Sequence, residues 1–322
     1  MNVPLVSLAP MAGVTDLPFR RQVKHFGGRY CVSEMVASEA LARERLDMVR
    51  RAAGAGELSP LVVQLAGREP YWMAEGARLA EAAGADVIDI NMGCPAKSVT
   101  TGLCGSALMR DPALAFRLLE AVVGATALPV TLKMRLGWDH ASLNAAEIAK
   151  GAEAAGVRML TVHGRTRKQF FTGRADWAAI ARVVDAVKIP VIANGDIASA
   201  GDARRALALS GAAGVMIGRA AQGRPWLPGA IEHALRYGGE ATAPPRERLL
   251  ASLLTLYEDA LAFYRPELGL RVARKHIAWA IDAVFGAEAR ADRKAICVLE
   301  DPSRVREALH ALFENAPAPI TA

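Results

Sequence analysis

Residues Asp89 to Leu108 read DINMGCPAKSVTTGLCGSAL. The apolar run Val87-Ile88-Asp89-Ile90 has the look of a short buried strand ending at Asn91, and Gly93-Cys94-Pro95 then breaks the backbone at once. A thiol held between a glycine and a proline at the C-terminal end of a strand belongs to a fixed, exposed turn rather than to a packed core. Lys97, Ser98, Thr100 and Thr101 follow, then Gly102 and Gly105, which makes a polar, glycine-punctuated loop before the next helix.

The unit recurs along the chain. Strand-like runs fall at Leu5–Pro10, Tyr30–Val36, Leu61–Ala66, Val87–Asn91, Pro129–Met134, Met159–His163, Pro190–Asn194 and Gly214–Gly218, with helix-like segments such as Asp16–Phe26, Tyr71–Ala83, Ala145–Ala155, Asp176–Val187 and Gly201–Leu209 between them. The strands are apolar without alternation, as strands buried on both faces should be. Eight such units within roughly 250 residues predict a (β/α)8 TIM barrel. A doubly wound sheet would show GxGxxG after its first strand, and none is present. The barrel is assigned to residues 1–238. Gly238-Gly239 and Ala241-Thr242-Ala243-Pro244-Pro245 give a linker at 239–245. Helix-period segments at Arg246–Phe263, Leu270–Phe285, Ala289–Glu300 and Ser303–Phe313 then predict a small all-helical domain over 246–322.

A content of 52% hydrophobic and 22% charged residues suits a compact soluble chain and argues against disorder. No apolar run approaches the roughly 18 residues of a membrane helix and no signal peptide opens the sequence, so a cytoplasmic protein without membrane contact is expected. Cys31, Cys94, Cys104 and Cys297 form no CxxC and no Cys/His cluster, which argues against disulfides and a structural metal. The net charge of +6 permits an acidic partner. From Ala243 onward 11 basic and 11 acidic residues cancel, so the excess lies in the barrel part. Within the neutral tail, Arg271, Arg274 and Lys275 are still spaced to share one helix face, as are Arg290, Arg293 and Lys294.

Barrel enzymes place their chemistry at the C-terminal strand ends. Those ends read Pro10-Met11-Ala12-Gly13, Glu34-Met35, Gln64, Asn91 with Cys94, Lys133 with Arg135, His163 with Arg165, Asn194-Gly195-Asp196 and Gly218-Arg219. Polar side chains converging on one mouth are hard to explain as packing. Cysteines are usually buried packing residues, as Cys31, Cys104 and Cys297 read here, but the glycine–proline setting of Cys94 favours a functional thiol. An ordinary thiol is mostly protonated at neutral pH and can donate a proton as well as attack. Lys133 ends an apolar strand and needs an anion. It suits either an aldolase Schiff base or a cation facing an electron-rich cofactor. His163 could be a satisfied core histidine, although Gly164-Arg165 behind it favours a ligand contact. Asn194-Gly195-Asp196 and Gly218-Arg219 close strands seven and eight, the common phosphate corner of such barrels. Lys97, Arg135, Arg165, Arg167, Lys168, Arg174 and Arg224 fall in rim loops, either as a solvated rim or as contacts to a polyanion crossing the mouth.

A phosphate corner, a lysine, a glutamine and a thiol around one mouth suggest FMN with a cysteine acid. At this point APMAGVTDLPFR, NMGCPAKSV…GSALM, KMRLGW, HGRTR, NGDI and IGRAAQGRPW together resemble the bacterial tRNA-dihydrouridine synthases, most of all their B-type branch. The resemblance spans nearly the whole chain, and NxGCP is its most specific element. Cys104 departs from it, since relatives more often carry a small Ala or Gly there. The resemblance implies that Pro10, Met11 and Ala12 line the flavin by backbone contacts, that Gln64 and Lys133 face its ring, and that His163 contacts it. It implies further that Asn194, Gly195, Asp196, Gly218 and Arg219 hold the ribityl chain and phosphate, and that Asn91 meets the target uracil. NADPH would reduce the flavin, hydride would reach C6 of a D-loop uridine in tRNA, and Cys94 would protonate C5. Arg271, Arg274 and Lys275 would join the rim in binding tRNA, with the protein acting as a monomer. An FMN-dependent barrel oxidising a small pyrimidine such as dihydroorotate is the alternative. A flavin-free aldolase and a non-catalytic RNA-binding module are more distant ones.

Overall fold

The protein is described by a computed structural model covering residues 2–315, so residue 1 of the expected barrel and residues 316–322 of the expected helical domain lie outside the described residues. Eight parallel strands close into a barrel in chain order: β1 (Val6–Leu8), β2 (Cys31–Ala37), β3 (Leu61–Ala66), β4 (Val87–Met92), β5 (Val130–Arg135), β6 (Met159–His163), β7 (Val191–Asn194) and β8 (Gly214–Ile217). The seam joins β8 to β1 through the pairs Val6–Val215, Ser7–Met216 and Leu8–Ile217. Every residue of β3 to β8 is buried. A barrel strand has helices on one side and the filled lumen on the other, which removes the solvent face that produces alternation.

Strand parity sorts the residues. Val63, Leu65, Ile88, Ile90, Leu132 and Met134 pack outward against helix residues such as Met73, Ala77, Leu118 and Leu119. Inward-facing Ala9, Tyr30, Val32, Val62, Val87, Met159, Ile192 and Met216 fill the lower lumen. Farther along the same inward faces come Gln64, Asp89 and Asn91, Thr131 and Lys133, and His163 and Asn194, all buried. Thus the lumen is apolar below and polar toward the C-terminal strand ends.

Residues 238–245 carry neither helix nor strand, and among the described residues four helices follow: Arg246–Phe263, Pro266–Phe285, Arg290–Cys297 and Pro302–Asn315. The second begins four residues before the expected Leu270, because a proline in the first turn starts a helix rather than breaking it. These helices share a core of their own built from Leu250, Leu253, Tyr257, Ala273, Ile277, Ile281, Val305, Leu309 and Phe313.

The helical part docks on the first β–α unit. Tyr264 Oη donates to Asp16 Oδ2 at 2.9 Å, Ser252 Oγ to Gln22 Oε1 at 2.8 Å, and Lys275 Nζ to the Gly13 carbonyl at 2.7 Å, while His276 stacks on Phe19. At Gly223 a Cβ would lie 2.1 Å from the Trp279 carbonyl, so only glycine permits this approach. Two of the three tRNA contacts expected on this helix already have partners within the protein. Lys275 is spent on Gly13, and the half-buried Arg274 donates to the Leu299 carbonyl, leaving Arg271 exposed. The 3–4 spacing put all three on one side, but that side is wide enough for its edges to face the barrel and the neighbouring helices.

Candidate active site

A cavity of about 750 Å³ opens at the C-terminal strand ends, within the roughly 300–1,000 Å³ of small-molecule and cofactor sites. Pro10, Met11, Ala12, Gln64, Lys133, His163, Asn194, Gly195, Asp196, Gly218 and Arg219 all line it, and so do Asn91, Cys94 and Arg135.

Lys133 is 9% exposed and donates to Asn194 Oδ1 at 3.0 Å, a neutral amide whose own Nδ2 donates to the Met216 carbonyl at 2.8 Å. Burial, helped by Arg135, pulls the lysine down to about 8, with Asp89 and Cys94 working the other way. A buried ammonium bonded to a neutral amide is poised for an anionic or electron-rich ligand. His163 is held well below its ordinary value by burial and by Lys133, Arg135, Arg165 and Arg219, which makes it a neutral imidazole at pH 7. Gly195 has φ +116°, and a Cβ there would sit 2.7 Å from the His163 ring, so this corner requires glycine.

Asp196 receives Arg165 Nη1 and Nη2 at 2.9 and 2.5 Å, the Ala175 N–H at 2.8 Å and Arg219 Nη2 at 3.4 Å. Burial works to raise this carboxyl, but the Arg165 and Ala175 donors prevail and hold it low. Its role here is to aim two arginines. Arg165 is consequently not a rim residue, being 2% exposed and tied also to the Thr172 and Gly173 carbonyls. Arg135 is likewise buried, donating to the carbonyls of Gly93, Thr166 and Phe170 at 2.8 to 2.9 Å. Burial first, then neighbouring arginines, lower it to about 10, so it stays charged. Of the seven expected rim cations, Lys97 is exposed in the short helix after Pro95, Lys168 pairs with Asp139 at 2.8 Å, and Arg224 lines the cavity. The half-buried Arg167 packs over Trp138, as does Arg110, each 4.8 Å from the ring centre.

Cys94 is half-buried and borders the cavity. Its N–H donates to Asn91 Oδ1 at 3.0 Å, and its carbonyl accepts the Ser106 N–H at 3.1 Å and Ser106 Oγ at 2.8 Å. Gly105, at φ +59°, lets the loop fold back, since a Cβ would lie 2.8 Å from that carbonyl. Asn91 was expected to face uracil. Its Oδ1 serves the loop and its Nδ2 donates to Gln64 Oε1. Cys104 bonds Gly102 O through its thiol, and Cys31 is buried, its thiol pushed up to about 12. Glu34 accepts the Gly13 N–H at 2.5 Å, so Glu34 and Lys275 hold the N–H and the carbonyl of the glycine that follows the Pro10–Ala12 wall.

Met35, read at its strand end, does line the cavity, whereas sequence reasoning missed Phe171 and Gln222. Phe171 packs between Arg219 and Arg135, at 4.7 and 5.7 Å, in a loop where no periodicity could announce it. Asp89 was passed over as part of a buried strand, although its parity with Asn91 carried the signal. Among the described residues no His/Cys/Asp/Glu group is arranged to hold a metal ion, and no helix is long and apolar enough to cross a membrane.

The family model described as Dihydrouridine synthase (Dus) matches residues 7–318. The chain belongs to the dihydrouridine synthase family. A probable tRNA-dihydrouridine synthase of Rhodobacter capsulatus is 57% identical over 283 residues, covering 87% of each chain. A probable tRNA-dihydrouridine synthase of Rhizobium leguminosarum is 49% identical over 97% of this chain and 96% of its own. The tRNA-dihydrouridine synthase B of Pseudomonas aeruginosa is 46% identical over 87% of this chain and 84% of its own.

Proposed function

We propose that the chain is an FMN-dependent tRNA-dihydrouridine synthase drawing its electrons from NADPH. The observation that carries this reading is a single cavity combining a half-buried thiol, a buried lysine without a carboxylate hydrogen bond, and a glycine–arginine corner. A flavin mononucleotide suits these residues. Gly195, Gly218 and Arg219 would take its phosphate, Pro10 to Ala12 would flank its ring, and Gln64, Lys133 and His163 would meet the ring's polar edge. Bound there and reduced by NADPH, FMN supplies the hydride that goes to uridine C6.

The protein's own groups do the rest. Lys133, cationic at neutral pH, stabilises negative charge on its ligand in a water-poor lumen. Cys94 transfers the proton of its thiol to uridine C5, so that hydride and proton together saturate the 5,6 bond. The target base must leave the tRNA stack to enter the cavity. Lys97, Arg167 and Arg271 would meet backbone phosphates, with residues 246–322 as the tRNA-binding domain. The test is to map dihydrouridine in tRNA from cells lacking the gene. One D-loop position should lose the modification and regain it with the wild-type gene, whereas an unchanged map overturns the proposal.

A further inference from the structure

Asp89 lies one layer beneath the cavity and, apart from its pull on Lys133, has none of the roles above. It is buried on the inward face of β4, two residues before Asn91, and the registers Gln64–Asp89 and Asp89–Thr131 set a donor on each side of it. Thr131 Oγ1 donates to Asp89 Oδ1 at 2.6 Å and Gln64 Nε2 to Oδ2 at 2.7 Å. Gln64 Oε1 accepts Asn91 Nδ2 at 2.7 Å, and Asn91 Oδ1 accepts the backbone N–H groups of Gly93 and Cys94 at 3.2 and 3.0 Å.

This series has one polarity. A side-chain amide keeps its shape when flipped but exchanges its donor and acceptor ends, so shape alone orients neither Gln64 nor Asn91. Burial raises the Asp89 carboxyl, while the donors Thr131 and Gln64 and the charge of Lys133 work to keep it ionised, and a carboxylate only accepts. Gln64 must therefore turn Nε2 toward Asp89, its Oε1 then selects Nδ2 of Asn91, and Oδ1 is left pointing at the loop. Reversing either amide would set two donors or two acceptors face to face in a buried site.

We propose that Asp89 is a positioning residue: through Gln64 and Asn91 it pins the Gly93 and Cys94 amides and so holds the Cys94 thiol in its presented position. The consequence for tRNA modification rests on the function proposed above, whereas the relay itself does not.

The experiment exchanges the ends of the relay. Asn91→Asp puts a second acceptor against Gln64 Oε1 and breaks the series. Adding Asp89→Asn restores it with reversed polarity, because Gln64 Nε2 can then serve position 91, its Oε1 the new amide at position 89, and Thr131 the oxygen of that amide. The readout is the rate of Cys94 alkylation by iodoacetamide in the flavin-containing protein, located by peptide mass, alongside dihydrouridine formation on tRNA. Asn91→Asp should shift the alkylation rate by about 5-fold or more, the weight of one ordinary net hydrogen bond, and the double variant should return to within about 2-fold of wild type. A double variant no closer to wild type than Asn91→Asp overturns the proposal. If the single variant does not fold, the relay predicts that the double variant does, and failure of both overturns it as well. A wild-type protein that makes no dihydrouridine refutes the proposed function instead, and the alkylation pattern still decides the relay.

Discussion

Replacing Lys133 with methionine should stabilise the flavin-free protein and at the same time weaken its hold on flavin. Burial lowers this lysine from 10.5 to about 8, and at about 1.4 kcal/mol per unit the charged form costs the fold about 3 kcal/mol at neutral pH. Methionine fills a similar volume without charge but leaves Asn194 Oδ1 without its donor, a loss of roughly 1–2 kcal/mol. The flavin-free Lys133→Met protein should therefore be more stable than wild type at pH 7 by roughly 1–2 kcal/mol, read from urea unfolding. The sign follows from the lowered folded-state value: the wild-type penalty is present below about pH 8 and fades as pH rises toward 10.5. Between those values the stability gap should narrow and then reverse in favour of wild type, which keeps the Asn194 bond. Flavin affinity, measured by fluorescence quenching, should fall at least about 10-fold, or about 1.4 kcal/mol. A methionine variant less stable at pH 7 that binds flavin as tightly as wild type would refute this account of the lysine.

Asp16 is the mirror case: burial, only partly offset by the Phe19 N–H and Tyr264, raises it from 3.8 to about 6, so its charge costs stability above about pH 6 and the cost fades toward 3.8. Asp16→Asn should gain up to about 3 kcal/mol at pH 7, with the gain disappearing in melts recorded near pH 4. Lys275→Met removes the bond to the Gly13 carbonyl and should cost about 1.5–3 kcal/mol in urea unfolding, with Lys275→Arg recovering part of it. Gly195→Ala forces a side chain at φ +116° against the His163 ring and should yield protein with little bound flavin by its absorbance near 450 nm, while far-UV circular dichroism stays native.

The fold was legible because buried strands and amphipathic helices differ in period, and because Leu61–Ala66 and Met159–His163 are largely apolar without the strict alternation of a half-exposed strand. The cavity residues were legible for a related reason: a barrel sends every strand end to one mouth, so strand position alone brings together residues as distant as Met11 and Arg219. Less legible was where long cations point. Arg135 shares inward parity with Lys133, which places it inside, but its loop-side position suggested a rim. Arg165 turns inward because Asp196 lies 31 residues away in sequence and a hydrogen bond away in space. Lys275 crosses to Gly13 over a sequence distance of 262 residues, which helix spacing cannot encode.

Dihydrouridine formed on unmodified tRNA by purified Cys94→Ala, supplied with NADPH, tests the central claim most directly. The variant should retain its yellow flavin and its reduction by NADPH yet form almost no dihydrouridine. Product at the wild-type rate would show that the proton comes from elsewhere.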